Sequence, residues 1–298
     1  MRHREQHATW VITALLGLTV ASACKRADHP PPVSQRDTAS QVDGGRVPLR
    51  FPSDSAIPDG ALGVSIRRGR ALLANTRDSL PTLVGNQLQC VSCHPLNGTK
   101  ANAMPWVGVY GRFPQYRARS GTVQVIEDRI TDCFERSMDG RAPAWNSREM
   151  RDMVAYFAFL SQGVPVGAEV QGQGLPRLEP LPGDSARGAA LFAAQCVHCH
   201  GADGTGTAIA PSLWGPNSYN IGAGMARLRT AASFIRYNMP ADRPGTLTDQ
   251  QAFDLAHYIN SHPRPDFKLK HLDWPNGDPP PDVAYDTDAA RRKRSAAQ

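Results

Sequence analysis

Strings of cysteine, two spacer residues, cysteine and histidine occur twice in this 298-residue chain, as Cys90-Val91-Ser92-Cys93-His94 and Cys196-Val197-His198-Cys199-His200. Two thiols at that spacing add across the vinyl groups of one haem, and the adjoining imidazole is then held beneath the iron. The strings therefore predict two covalently bound haem c groups. Cys90, Cys93, Cys196 and Cys199 are the attachment points, and His94 and His200 the proximal ligands. A thioredoxin-like redox pair has no need of the trailing histidine, and a zinc ribbon does not need both.

The spacing repeats beyond the strings. Cys90 to Cys196, His94 to His200 and Cys133 to Met239 are each separated by 106 residues, which marks an internal duplication. Cys133 and Met239 each follow their histidine by 39 residues. A thioether there completes the coordination of an iron and raises its potential, as electron relay requires. Met239 is thus the expected distal ligand of the second haem, with Met225 and His257 as substitutes. A thiolate instead donates electron density and favours ferric iron, so Cys133 would make the first haem the low-potential partner. The competing reading is a buried, inert Cys133 with Met138 as the ligand.

Cysteine arithmetic sharpens the point. Of six cysteines, four attach haem and Cys24 sits at a processing site, which leaves Cys133 alone. An odd thiol in an oxidising compartment is a liability unless it is ligated, buried or catalytic. The compartment follows from the N-terminus: Arg2, His3 and Arg4 precede an apolar run from Trp10 to Val20 and the small residues Ala21-Ser22-Ala23. Residues 1–23 read as a secretory signal, too short to span a bilayer. Cleavage after Ala23 and lipidation of Cys24 both remain open. Either produces an exported, periplasmic protein, and the second adds a lipid anchor at Cys24. A net charge of +6 with both signs well mixed gives no nucleic-acid footprint.

Helical patterns frame each haem string. Apolar residues recur at helical spacing over Ile66 to Ala74 and Ala186 to Ala194 ahead of the strings, and over Arg148 to Leu160 and Thr248 to Ser261 behind them. Thr248 and Gln251 stand at capping-box positions. Tyr156, Phe157, His257 and Tyr258 fall on the terminal helices, where ordinary core is their expected place. Residues 24–58 read as a flexible tether, 59–163 as the first module, 164–183 as a proline-bearing linker and 184–265 as the second module. The tail, 266–298, ends in Arg291-Arg292-Lys293-Arg294 and reads as a solvated terminus or a surface strap. Strand signals are sparse. The order of features resembles the class I cytochrome c plan from Gly60 to His262, which implies a mainly α protein: two class I cytochrome c-like domains in tandem, each wrapping one covalent haem.

Around Cys133 the resemblance narrows. The pattern Arg129-Ile130-x-x-Cys133-Phe134-x-Arg136-Ser137-Met138-x-Gly140, with Trp106-Val107-Gly108-Val109-Tyr110 and Tyr116-Arg117 upstream, resembles the thiosulfate dehydrogenases, the tetrathionate-forming dihaem family. That resemblance implies a first haem with Cys133 as its distal ligand and a substrate site beside it. Electrons would leave through the Met239-ligated haem to a soluble c-type cytochrome or similar acceptor. Asn238 stands where members that switch ligands carry lysine. Joining two thiosulfate dianions requires cations, and arginine forks suit sulfonate oxygens. Arg112, Arg117, Arg119, Arg129, Arg136 and Arg141 are available, against five acids in the same stretch. Arg117 and Arg136 are the first candidates, Arg136 because it lies one helical step from Cys133. Two other classes fit the haem strings: a non-catalytic dihaem electron-transfer cytochrome, and the haem subunit of a thiosulfate-oxidising multienzyme complex. Oxidation of thiosulfate and reduction of tetrathionate would share one site.

Overall fold

The computed structural model describes residues 45–297; the export signal, both processing readings and Cys24 lie outside the described residues. Helix α1, Gly60–Ala74, buries Gly63, Ile66, Gly69 and Leu73 along one stripe, the period expected of a helix with one apolar face. After the first haem string and a long irregular stretch come a short antiparallel hairpin, β1 (Gln115–Arg117) and β2 (Thr122–Gln124), and helix α2, Ile126–Asp132. Helix α2 runs directly into a π-helical turn, Cys133–Ser137. Helix α3, Arg148–Leu160, closes the module; Ser147 Oγ caps it by accepting from Met150 N, and its buried face carries Met150, Met153, Tyr156, Phe157, Phe159 and Leu160. The second module repeats the plan with α4 (Ser185–Gln195), α5 (Leu228–Asn238) and α6 (Asp249–Ser261). Thr248 and Gln251 form the reciprocal cap expected of them, with Thr248 N donating to Gln251 Oε1 at 2.8 Å.

Each module is fastened by the same crossing. Helix α1 meets α3 so closely at Gly69 that a β-carbon there would stand 1.8 Å from the Asp152 carbonyl oxygen, and Gly188 of α4 meets the Asp254 carbonyl in α6 at 2.2 Å. Only glycine permits that approach. The preceding arginine pairs with the same aspartate in both copies, Arg68 with Asp152 at 3.0 Å and Arg187 with Asp254 at 2.7 Å. A second shared device lies behind the haem strings. Trp106 packs flat on Gly98, and Trp214 packs on Gly204.

Segments read as loose are docked. Val47, within the expected tether, is held by a backbone bridge to Val170, and Ile57 packs its apolar side chain on the first core. The linker runs beside the first haem loop: Asn102 N donates to Gly172 O at 2.7 Å and Met104 N to Gly174 O at 2.9 Å. The first part of the tail packs as a strap, with Phe267 and Trp274 buried, whereas residues 291–297 are exposed; a short final helix, α7 (Asp288–Ala296), ends the described chain. No helix among the described residues is long and apolar enough to cross a membrane.

Candidate haem and anion sites

Cys90, Cys93 and His94 line a cavity of about 450 Å³, and Cys133 and Met138 line the same cavity. His94 Nδ1–H donates to the Met104 carbonyl at 2.7 Å, which leaves Nε2 as the free lone pair. Burial pushes the His94 imidazole down to about 4, so the ring is neutral and suited to ligate metal. His200 repeats the arrangement through the Pro211 carbonyl at 2.9 Å, and burial lowers its pKa as well. In the second module Cys196 and Met239 pack against one apolar cluster with Phe192, Trp214 and Leu247. Paired thiols, a tautomer-fixed imidazole and apolar walls fit a covalent haem in each module.

Cys133 begins the π turn, and Arg129, one turn back in α2, donates Nη1–H to its sulfur at 3.1 Å. The sulfur pushes the Arg129 pKa up, against the opposing effect of burial. Next to the haem cavity lies a second one of about 360 Å³; Arg117, Arg129 and Ser137 belong to both. Arg119, Arg136 and Arg227 complete its cationic wall, and Asp132 is the carboxylate on it. Burial and the nearby Arg129 lower the Arg117 pKa, as they do for a cation short of counter-charge.

Of the remaining arginines, the side chains of Arg112, Arg119, Arg136 and Arg227 have partners. Arg136 places both Nη atoms on Asp273, at 2.7 and 2.8 Å, and stacks on Phe267 at 4.3 Å. Arg119 donates to Gly222 O at 2.7 Å and lies over Trp274. Arg227 pairs with Asp282 at 3.1 Å, Arg112 donates to Gln173, and Arg141 is exposed. Of the sequence candidates, Arg117 lies on both cavities, whereas Arg136 is oriented by the strap. The substitutes for Met239 fall elsewhere: Met225 lines the first haem cavity, and His257 is exposed and hydrogen-bonded to Ser185 Oγ at 2.8 Å. Sequence reasoning missed Arg227, the Asp273 and Trp274 strap, and Tyr219, which reaches the first cavity from the second module. The strap partner of Arg136, Asp273, lies 137 residues away in sequence and that of Arg227, Asp282, 55 residues away, so no local pattern flags them.

Two cytochrome c domains in tandem, each with its own attachment string, define a dihaem c-type cytochrome. Residues 84–166 match the family model "SoxA/TsdA, cytochrome c domain", and residues 183–259 match "Cytochrome C oxidase, cbb3-type, subunit III". The chain is 52% identical to a thiosulfate dehydrogenase of Allochromatium vinosum, over 74% of this chain and 86% of that one. A thiosulfate dehydrogenase of Psychrobacter arcticus is 44% identical, over 83% and 76% respectively. The chain belongs to the thiosulfate dehydrogenase family. Among solved structures, thiosulfate dehydrogenase TsdBA of Marichromatium purpuratum superposes with a TM-score of 0.70 at 39% identity, covering 74% of this chain; the match spans 50% of the longer TsdBA chain.

Proposed function

We propose that this protein joins two thiosulfate dianions through their terminal sulfurs, giving one tetrathionate dianion and two electrons, beside the first haem. The observation that carries this reading is the contact between the Cys133 sulfur, in the haem cavity, and Arg129, which lines both the haem cavity and the arginine-lined cavity. In this reading His94 and Cys133 would hold the iron of the first haem, and His200 and Met239 that of the second. The haems, when bound, would supply one-electron acceptance and onward transfer.

The arginines answer the main energetic obstacle. Two dianions about 4 Å apart repel by roughly 16 kcal/mol at an effective dielectric of 20. No neutral hydrogen-bond donor offsets that much, whereas forked cations facing both anions do. Arg117 and Arg129 supply the donors nearest Cys133, and Arg119 and Arg227 add to the field. Arg136, held by Asp273, contributes its charge from a fixed position. Arg129 can share its donors between the Cys133 sulfur and an incoming anion, so substrate entry weakens the hold on the cysteine. The bond-forming step releases no proton, and the site accordingly needs no general base.

Division into a catalytic module at 59–163 and a relay module at 184–265, export by the N-terminal signal and transfer to a soluble c-type cytochrome complete the reading. Lipidation of Cys24 would add a membrane anchor. Purified protein carrying both haems should reduce ferricyanide on addition of thiosulfate, with one tetrathionate formed per two electrons. Absence of thiosulfate-dependent reduction in that protein would overturn the assignment. A His/thiolate low-spin ferric signal in electron paramagnetic resonance should accompany it, and the Cys133→Met protein should lack that signal.

A further inference from the structure

The wall of the first haem cavity is not built by the first module alone. Tyr219 and Met225, both from the second module, line it together with Cys93 and Leu88. Tyr219 is buried, and its hydroxyl donates to Asn260 Oδ1 at 3.0 Å, while Asn260 Nδ2 donates to the Met225 carbonyl at 3.1 Å. The Arg264 guanidinium lies over the Tyr219 ring, 4.3 Å from its centroid. The same fork donates to Ile259 O at 2.9 Å, at the end of α6, and to Leu213 O at 3.4 Å, next to the Trp214 that packs in the second module's core. Among the described residues Arg264 has no carboxylate partner. A half-buried cation is thus clamped between the wall of one haem site and the shell of the other, with two carbonyls and an aromatic face in place of a counter-ion.

We infer that Arg264 is a positioning residue for inter-haem electron transfer: it holds Tyr219 on the wall of the first haem cavity and keeps between the two haem sites a positive charge that no side-chain carboxylate pairs. Each reduction adds one electron and lowers the charge of a haem by one unit, so a fixed cation nearby stabilises the reduced form and raises the potential. Its seat at the boundary applies that effect to both centres. The inference rests on the two haems and not on the identity of the substrate.

The test is spectroelectrochemical titration of the haem-loaded protein, with Arg264→Gln and Arg264→Lys compared. Arg264→Gln should move both midpoints to more negative values with the axial-ligand spectra unchanged, and Arg264→Lys should retain most of the wild-type values. Tyr219→Leu, which removes the aromatic seat, should move the first haem's midpoint more than the second's. Native midpoints in Arg264→Gln would overturn the inference. Equal shifts in the glutamine and lysine variants would also overturn it, since packing rather than charge would then be responsible. Failure of thiosulfate turnover in the wild-type protein would bear on the proposed reaction and leave these midpoint shifts as expected.

Discussion

The two modules share their scaffolding and differ at one turn of helix. Both use an Arg-Gly pair crossing a buried aspartate, a tryptophan laid on a glycine, and an attachment-string histidine fixed by a backbone carbonyl. At the common offset the first module has Arg129 touching Cys133, and the second has Ile235 one turn before Met239. Ile235 is buried in an apolar cluster, whereas Arg129 faces a cavity rich in cations. A charged, sulfur-bearing turn open to anions became the substrate side in the proposed reaction, and an apolar thioether turn became the relay. Duplication preserved what holds a haem and changed what can approach it.

Making the first module resemble the second should break this division most severely. Cys133→Met should abolish thiosulfate-dependent turnover while both haems stay attached, which haem staining and the reduced absorption spectrum would check. Wild-type turnover in that variant would remove the cysteine from the mechanism. Arg129→Ile, the second module's residue at that place, deletes a charge-assisted contact of about 1.5–3 kcal/mol. A fall of about 100-fold in kcat/KM is expected. Arg117→Gln removes a cation without displacing the sulfur, so about a 10-fold rise in KM with a smaller change in kcat is the expected steady-state result.

Shared devices should respond alike in the two copies. Gly69→Ala and Gly188→Ala each force a β-carbon into a backbone carbonyl, and each should cost about 1–3 kcal/mol in denaturant unfolding. A large cost in one copy alone would show that the crossings are not equivalent. The smallest effect concerns acid. The Arg187 guanidinium holds the Asp254 carboxyl below the usual range. Its contribution is complete above the unfolded value near about 4 and is lost as pH falls through the lower folded value. Asp254→Asn should flatten that part of the stability profile, measured as unfolding midpoint against pH.

Much of this organisation was legible in the chain. The attachment strings are five residues long and local, the duplication is a constant separation, and the helices that flank the haems follow from apolar spacing and a capping box; Arg148–Leu160 forms over the residues the pattern indicates. Cys133 emerged because five other cysteines had a use. The helix before the first string starts at Gly60, ahead of the Ile66 expected from its apolar stripe, because its opening residues include glycines and two exposed apolar side chains, Leu62 and Val64, that break the buried stripe.

Composition misled over residues 45–58 and in the linker, where proline and glycine signalled looseness that the packed side chains of Ile57 and Val170 overcome. The carbonyls of Met104 and Pro211 that orient the histidines are anonymous in sequence, since every residue carries one. By itself, then, the sequence determined that two haems are bound and that unlike sulfur atoms occupy equivalent places. Tertiary structure alone decided which of six arginines touches that first sulfur, which are clamped by the strap, and that Tyr219 and Met225 of one module reach the haem site of the other. Covalent attachment is encoded by neighbours along the chain, whereas an anion site depends on charges converging from segments that only folding brings within a few ångströms.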